Sequence, residues 1–293
     1  MTPGKVVVTG ASGQLGRQLV TVFRQDGWEV AEHGHAELDI AHDGAGRRLA
    51  GDGAQVIINA AAWTDVDGCA RDPERATLIN GVAAGRIAEA AAAAGALSVQ
   101  ISTNEIFDGS APRPYREDDA PNPINPYGAS KLAGERAVIG ANPRHLIVRT
   151  AWIFGPGGRN FPSKILEIAA RQQAEGKPLR VVADEIGNPT WAPDLATGIR
   201  LAVAASLEGR LDPGVLHICG EPPVSRFGWA ERILEAMPDV KLARISAAEF
   251  PRASRVPLRA VLATERASAL GIGPLDWRAP TRQYASDLAA VAR

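Results

Sequence analysis

Three features of the sequence predict an α/β fold in which helices cover both faces of a parallel sheet. Short runs rich in β-branched residues alternate with longer helical patterns through the first half of the chain. A glycine-rich turn, Gly10 to Gly16, separates the first of these runs from the first helical stretch. The chain has 293 residues, which is enough for one large core or two closely joined domains. Together these features are typical of a Rossmann-like, doubly wound sheet.

The predicted elements alternate in the order that a parallel sheet requires. Apolar, β-branched runs predict strands, and apolar residues at helical spacing predict the helices between them. The predicted strands cover residues 6–9, 28–32, 56–59, 97–102 and 145–149, and the predicted helices cover 14–25, 73–94 and 127–139. Parallel strands need such crossovers, and the crossovers are right-handed in nearly all known cases.

The turn after the first strand has the glycine spacing of a phosphate-binding loop. Gly10 permits a tight turn, Gly13 lets a pyrophosphate approach the backbone, and Gly16 allows close helix–strand packing. Free amides and the dipole at the start of the next helix attract an anion. Glycine-rich turns also occur without ligands. The position of this turn, directly after the first strand of a β-α pattern, favours a dinucleotide site.

Two further segments are placed to contact the same ligand. Asp39 and Ile40 follow the second strand and are positioned to reach an adenine. The other segment is a strand end, Asn59, followed by Ala60, Ala61 and Ala62. Three small residues leave room for a flat ligand beside the backbone. They equally fit a plain strand end in an alanine-rich protein, so this segment alone does not decide between the two.

Tyr127 and Lys131 stand four residues apart at the start of a predicted helix, and therefore on one helix face. The chain has only 3 tyrosines, so this spacing rarely arises by chance. A free tyrosine has a pKa of about 10, and a nearby ammonium in a partly dry cleft is expected to lower that pKa toward 7. Thr103, at the end of the fourth strand, adds a hydroxyl at the same rim. The alternative is a packed tyrosine beside a solvated lysine.

The sequence pattern changes after residue 150, where loops rich in proline and glycine appear at 155–158 and 187–190. Ligands of open α/β sheets bind outside the carboxyl ends of the strands. We therefore expect residues 1–150 to form a dinucleotide-binding, Rossmann-like domain. Residues 151–293 are expected to form mainly a smaller, discontinuous C-terminal substrate-binding region, with some segments returning to the first domain.

Composition excludes several function classes. Lys plus Arg is 32 and Asp plus Glu is 33, so the basic excess typical of nucleic-acid or anionic-membrane binding is missing. Cys69 and Cys219 are the only cysteines, which excludes a disulfide scaffold and an all-cysteine zinc site. The histidines form no convincing ligand motif, so no metal site is predicted. No apolar stretch is long enough to span a bilayer. We expect a cytoplasmic monomer or homodimer.

At these residues the sequence resembles the extended short-chain dehydrogenase/reductases, and more narrowly the dTDP-4-dehydrorhamnose reductase family. The matching motifs are GASGQLG at 10–16, NAAAWTDVD at 59–67, YGASKLAGE at 127–135, RTAW at 149–152 and DEIGNPT at 184–190. They extend over nearly the whole chain. The Gln-Leu-Gly and Arg-Thr-Ala-Trp pieces are specific to the narrower family.

The resemblance implies reduction, by NADPH or NADH, of the C4 ketone of a nucleotide-linked 6-deoxy-4-ketosugar. It implies Tyr127 as proton donor, Lys131 as its electrostatic partner and Thr103 as the positioning hydroxyl. With the residues reasoned above, the candidate cofactor-binding set is Gly10, Gly13, Gln14, Leu15, Gly16, Asp39, Ile40, Ala60, Ala61, Ala62, Thr64, Tyr127 and Lys131. The candidate substrate-binding set is Thr103, Asn104, Glu105 and Trp152.

One motif departs from the resemblance. The family usually continues after the threonine as Asp-Tyr-Val-Phe, whereas this chain has Asn104-Glu105-Ile106-Phe107. This difference leaves open another nucleotide-4-ketosugar as substrate. An epimerase, or a non-catalytic regulatory subunit like that of methionine adenosyltransferase, also stays open.

No residue of the sequence clearly determines specificity for NADPH or for NADH. Glu32 is the candidate acid for a ribose 2′-hydroxyl, and Arg17 is the candidate cation for a 2′-phosphate. Since neither is a clear match, we expect both cofactors to be used, with a modest preference for NADPH.

Overall fold

A computed structural model describes residues 4–51 and 53–291. The strands are β1 Lys5–Thr9, β2 Glu29–His33, β3 Val56–Asn59, β4 Leu97–Thr103, β5 His145–Thr150, β6 Ile153–Phe154, β7 Leu179–Val182, β8 Ile186–Gly187, β9 Thr190–Trp191, β10 Gly214–His217, β11 Gly220–Glu221, β12 Val224–Ser225, β13 Leu242–Ile245 and β14 Leu275–Asp276. The α-helices are α1 Gln14–Gln25, α2 Ala45–Ala50, α3 Val66–Arg71, α4 Pro73–Thr77, α5 Ala83–Ala93, α6 Pro126–Ala141, α7 Phe161–Ala174, α8 Ala192–Leu207, α9 Arg226–Ile233, α10 Glu265–Ala269 and α11 Arg278–Val291.

The central sheet has six parallel strands in the order β2-β1-β3-β4-β5-β10. The predicted parallel α/β fold is therefore confirmed, and α1 and β3 have the predicted bounds. The order of the strands reverses at β1, whose neighbours are β2 on one side and β3 on the other. A crevice opens at such a switch point beyond the carboxyl ends of the strands, and ligands of open α/β sheets bind there.

Alternate residues of the central strands enter different core layers. Val6 and Val8 of β1 pack in one layer with α1 and α8, whereas Val7 packs in the other with Leu49 of α2 and Ile87 of α5. Because successive side chains of a strand point to opposite faces, a strand buried on both faces reads as a continuous apolar run. The run Val6-Val7-Val8 is such a strand, and helices cover both of its faces.

The predicted helix over 73–94 is interrupted by a π-helical turn, Leu78–Val82, between α4 and α5. Asn80 in this turn is buried, and its amide bonds the backbone of Trp63 in both directions. It also donates to the Ser130 hydroxyl of α6 at 3.0 Å. The turn thus ties the loop after β3 to the helix that carries Tyr127 and Lys131. Single π-turns of this kind are frequent at functional sites.

Beyond residue 150, four two-stranded sheets and most of the remaining helices form a second layer of structure. Its core is rich in aromatic residues, with the Phe154 and Trp229 rings 5.3 Å apart. Two segments of this half return to the central sheet, because β10 pairs with β5 and α8 packs on α1. Within the described residues, no helix has both the length and the apolarity needed to cross a membrane.

Candidate active site

Two adjoining cavities lie at the carboxyl ends of the central strands. One has a volume of about 410 Å³ and the other about 300 Å³. Gly13 and the segment Ala60 to Ala62 line both cavities, so the two form one continuous groove across the switch point. A dinucleotide along this groove would occupy the smaller cavity and part of the larger one. The rest of the larger cavity can hold a second ligand.

The glycine loop leaves backbone amides free at the centre of this groove. Gly10 has a φ of +67°, and a Cβ there would lie 2.7 Å from the backbone nitrogen of Ala61. Gly13 caps α1 without a side chain, and the first turn of α1 carries no acid. A Cβ on Gly16 would collide with the Gly10 carbonyl, so Gly16 serves the packing of helix on loop and lines neither cavity. This loop fits a pyrophosphate.

The Asn59 side chain connects strands β1, β3 and β4 beneath the glycine loop. Its carboxamide oxygen accepts from the Thr9 hydroxyl at 2.7 Å and from the Ala61 amide at 3.2 Å. Its nitrogen donates to the Gln100 side chain at 2.8 Å. The amide therefore links the ends of β1 and β3 to the middle of β4, which keeps the backbone of the alanine segment in one position.

The smaller cavity has the walls of an adenine site. Asp39 and Ile40 line it, as does Trp63 of the segment Ala62 to Thr64, all of which the resemblance implied as cofactor contacts. Sequence reasoning missed Ser12, His35, Leu38, Arg75 and Ile79, which line it too. The Arg75 guanidinium lies 4.8 Å from the centre of the Trp63 ring. Cation–aromatic pairs of this kind form across the space between two elements, so the sequence alone carried no signal for it.

Neither sequence candidate for reading the ribose 2′ position lines either cavity. Glu32 forms an exposed ion pair with Arg24 at 2.9 Å. Arg17 donates from Nε to the Ser12 carbonyl at 2.8 Å, so its side chain stabilises the glycine loop. The only charged or titratable side chains lining the smaller cavity are His35, Asp39 and Arg75, among the residues that the structure describes.

Thr103, Tyr127 and Lys131 come together in one wall of the larger cavity. Asn125 caps α6 by accepting from the Gly128 amide at 2.7 Å, and the helix begins at Pro126, one residue before the predicted start. The Lys131 ammonium donates to the Ile101 carbonyl at 2.6 Å. Thr103 ends β4 and is hydrogen-bonded to the Tyr127 hydroxyl. A strand end and the first turns of a helix therefore hold the three groups against each other.

The electrostatics of this wall differ from the sequence prediction. Burial raises the pKa of Tyr127, the charge of Glu105 raises it further, and the hydrogen bond with Thr103 opposes both. The expectation that Lys131 lowers this pKa is therefore wrong in this structure. Burial lowers the pKa of Lys131 to about 8, while the nearby Glu135 carboxylate opposes the shift. At neutral pH the tyrosine is thus protonated, the state from which a phenol donates.

Asn104 and Glu105 line the same cavity, but not through strand alternation. β4 stops at Thr103, and Asn104–Ile106 form a 3₁₀ turn. The Asn104 amide donates to the Ala260 carbonyl at 2.9 Å, a bond that an aspartate cannot make. One Glu105 oxygen accepts from the Asn125 amide at 2.7 Å. Burial raises the pKa of Glu105 to about 7 despite that hydrogen bond.

Trp152 lines the same cavity in a strained backbone conformation. Its φ of +44° lies in the left-handed region, which a bulky side chain rarely adopts. The Arg226 guanidinium stacks 3.5 Å from the centre of its ring, and the Trp229 ring stacks 5.9 Å away. A Cβ on Gly187 would lie 2.6 Å from the indole. Trp152 therefore both packs in the aromatic core and presents a face to the cavity.

Further residues of the larger cavity escaped the sequence reasoning. They are Val66, Ile101, Ser102, Thr150, Ala151, Ile153, Arg159 and Asn160. Gln14, Leu15, Ala60, Ala61, Ala62 and Thr64 line it as expected. Asn160 caps α7 and comes from a region whose loops have no regular pattern, so only the fold brings it here. Among the described residues, no group of acidic, histidine and cysteine side chains is arranged to hold a metal ion.

Known proteins resemble this chain over almost its full length. The family described as "RmlD substrate binding domain" matches residues 4–290. A dTDP-4-dehydrorhamnose reductase of Mycolicibacterium smegmatis is 38% identical over 280 residues, covering 94% of this chain and 83% of that protein. A crystal structure of a dTDP-4-dehydrorhamnose reductase from Clostridium acetobutylicum superposes with a TM-score of 0.89 at 33% identity, covering 97% of this chain and 99% of the other.

A second solved structure carries a ligand. The dTDP-4-dehydrorhamnose reductase of Bacillus anthracis was determined in complex with NADP. It has a TM-score of 0.86 and 31% identity, covering 96% of this chain and 98% of that one. Because the family match spans residues 4–290 and these relatives are similar over almost the whole chain, the chain belongs to the dTDP-4-dehydrorhamnose reductase family.

Proposed function

We propose that this protein uses NADPH or NADH to reduce the C4 ketone of a nucleotide-linked 6-deoxy-4-ketosugar, dTDP-4-dehydro-L-rhamnose, to dTDP-L-rhamnose. The observation that carries the proposal is the wall formed by Thr103, Tyr127 and Lys131, which lies in the same cavity as Gly13, Gln14 and Leu15 of the glycine loop. A proton donor and a dinucleotide groove are the two parts that carbonyl reduction by hydride transfer requires. The family membership and the NADP-bound relative support the same chemistry.

In this reaction the Thr103 and Tyr127 hydroxyls hold the ketone oxygen. A bound nicotinamide supplies the hydride that adds to C4. As the carbonyl π bond breaks, its oxygen takes the proton of Tyr127 and becomes the new hydroxyl. The Lys131 ammonium, close in the same wall, stabilises the phenolate that remains and bonds the adjacent ribose. The raised pKa of Tyr127 keeps its proton available until the oxygen of the substrate becomes basic enough to accept it.

A third cavity of about 450 Å³ supports a nucleotide diphosphate as the carrier of the sugar. Lys164, Arg180, Arg226 and Arg252 line it, together with the Phe161 and Phe250 rings. Arg226 also stacks on Trp152, which lines the larger cavity, so the two cavities are connected through this pair of side chains. Glu185 neutralises part of the charge by pairing with Arg226 and Arg252. Cations with aromatic walls suit phosphates attached to a base.

The two halves of the chain then divide the ligands between them. Residues 1–150 bind the dinucleotide, and residues 151–293 bind mainly the nucleotide sugar, with β10 and α8 returning to the central sheet. Thr103, Asn104 and Glu105 contribute to the sugar site from the first half. Trp152 supplies a flat apolar wall for the deoxyhexose from the second half.

The test is consumption of NADPH and NADH, followed spectrophotometrically with a panel of nucleotide-4-ketosugars. dTDP-4-dehydro-L-rhamnose should give the highest kcat/KM, and mass spectrometry should show a product with two more hydrogens. Competitive inhibition by dTDP should weaken in Arg252→Gln and persist in Lys241→Gln, which removes a cation elsewhere. Conversion of the ketosugar without net consumption of the reduced cofactor would contradict the proposal and indicate an epimerase.

A further inference from the structure

One buried hydroxyl in the larger cavity has no hydrogen-bond partner. Thr150 is only 3% exposed, and its Oγ1 bonds to no protein atom. It is the only buried side-chain polar atom of this kind in the part of the chain that the structure describes. Leaving such a group unpaired costs stability, so a native fold seldom keeps one without a use for it.

Four other polar side chains that line the cavity have hydrogen-bond partners within the protein. Lys131 donates to the Ile101 carbonyl, Ser102 donates to the Glu135 carboxylate, and Asn104 donates to the Ala260 carbonyl. Asn160 donates to the Gly155 carbonyl at 2.8 Å. Each of these side chains therefore has at least one hydrogen-bond partner within the protein. Thr150 differs from them in that its hydroxyl has capacity left only for a ligand.

The position of Thr150 is fixed from both sides. It is the last residue of β5 and stands opposite Thr103 in the register of β4 and β5. The chain then turns sharply through Trp152, whose φ is +44°, and residues 151–153 continue along the cavity wall. Strained backbone of this kind is retained where the surrounding structure holds a functional group in place. Thr150 therefore lies beside Thr103 among the strand ends that line the cavity and form its floor.

We propose that the Thr150 hydroxyl binds the carboxamide of the nicotinamide ring, which makes it a further cofactor-positioning residue. The inference rests on the proposed function. The floor of the cavity consists of strand ends that continue from the glycine loop, so the ligand anchored on that loop is the one that lies on the floor. The sugar enters from the side of Glu105 and Trp152, which are both more exposed than Thr150. A carboxamide offers a carbonyl and an amino group, and a hydroxyl can pair with either.

The first experiment compares Thr150→Val with Thr150→Ser. Valine has nearly the same shape but no hydroxyl, and serine keeps the hydroxyl. The dissociation constant of NADPH, measured by fluorescence titration without sugar, should rise about tenfold in Thr150→Val and stay near the wild-type value in Thr150→Ser. The Tm without ligand should be equal or higher in Thr150→Val, because the lost hydroxyl has no protein partner. A purely structural hydroxyl would instead lower the Tm.

A second measurement uses the wild-type protein and the oxidised 3-acetylpyridine analogue of NADP, in which a methyl group replaces the amino group of the carboxamide. If the hydroxyl accepts from the amino group, the analogue should bind more weakly than NADP⁺ to wild type, and the difference should shrink in Thr150→Val. If the hydroxyl donates to the carbonyl, which the analogue keeps, Thr150→Val should weaken the analogue and NADP⁺ equally. An unchanged dissociation constant in Thr150→Val would overturn the inference, and so would a rise confined to the KM of the sugar. Reduction of the ketosugar by wild type tests the proposed function separately, since these titrations need no turnover.

Discussion

The two halves of the chain build their parts of the site in different ways. In the first half the site consists of strand ends and backbone amides. The residues that line both cavities there are glycine and alanine. In the second half it consists of large side chains from separate elements, such as Trp152, which stacks on both Arg226 and Trp229. A site of amides and small residues is specified locally. A site of stacked rings and cations exists only once distant segments have packed.

The balance of charge also separates the halves. The phosphate loop offers partial charges from amides, which cost little to bury because they belong to a helix end. The second half buries Glu185 between the guanidinium groups of Arg226 and Arg252 at 2.9 and 3.1 Å. Buried ions are stable only when they are paired, and removing one partner is strongly destabilising. We therefore expect substitutions in the second half to affect folding and substrate binding together more often than those in the phosphate loop.

The largest expected effect is on the chemical step. Tyr127→Phe should lower kcat by about 10²–10⁴-fold, because only the proton donor is lost while the ring still packs. The dissociation constant of NADPH, titrated by fluorescence, should hardly change. The matched control is Tyr115→Phe, which removes a buried hydroxyl that donates to Asp108 at 2.7 Å and does not line the cavity. Near-full kcat in Tyr127→Phe would remove this residue from the mechanism.

The second half should respond to a single added methyl group. Gly187→Ala should force the Trp152 indole to shift, because the new Cβ would stand 2.6 Å from it. Overpacking of this kind costs about 1–3 kcal/mol, so the KM of the sugar should rise about tenfold or more. Affinity for NADPH should stay unchanged if the halves divide the ligands as proposed. Gly140→Ala in α6 is the control, since a Cβ there meets nothing within 4 Å. Equal losses for both ligands would show that the division is wrong.

The protonation of Glu105 should appear in the stability of the protein. Its pKa rises from 4.5 to about 7 in the folded state, so the folded protein holds more protons than the unfolded chain between these pH values. The contribution of Glu105 to the free energy of unfolding therefore falls as the pH rises from 4.5 to 7, and it does not change further at higher pH. Relative to wild type, Glu105→Gln should gain Tm across that window, by about 2–4 °C for each kcal/mol involved.

The matched control for that titration is Glu89→Gln, which removes an exposed carboxylate from α5. Its Tm difference from wild type should stay level over the same pH range. A level difference for Glu105→Gln as well would show that its environment, which includes Glu185, Arg226 and Arg252, does not disfavour the charged form.

The smallest expected effect concerns cofactor choice in the first half. We expect kcat/KM to favour NADPH over NADH by no more than about 1–2 kcal/mol, because no buried ion pair enforces a stronger choice. Glu32→Ala should leave this ratio almost unchanged, since Glu32 is paired with Arg24 and lines neither cavity. The ratio is measured at one salt concentration. A preference for NADH beyond about a hundredfold would show that an acid faces the ribose after all.

Much of the first half was predictable because its signals are local. The bounds of α1 and β3 and the placement of Tyr127 and Lys131 in one cavity wall follow from periodicity and spacing. The π-turn around Asn80 was not predictable, since a π-turn leaves the helical pattern of the sequence almost unchanged. The raised pKa of Tyr127 was missed for a different reason. Burial decides it, and burial is a property of the whole cavity.

The sequence by itself determined the parallel sheet, the glycine loop and the family, because these depend on residues close together in the chain. Only the tertiary structure decided the surroundings of each reacting group. Thr150 is a plain strand residue in the sequence, and it becomes a candidate ligand contact because the packed cavity leaves its hydroxyl without a partner. Trp152 and Arg226 are 74 positions apart and form one wall. Hydrogen bonding, stacking and burial act between segments brought together by folding, and periodicity cannot encode which segments meet.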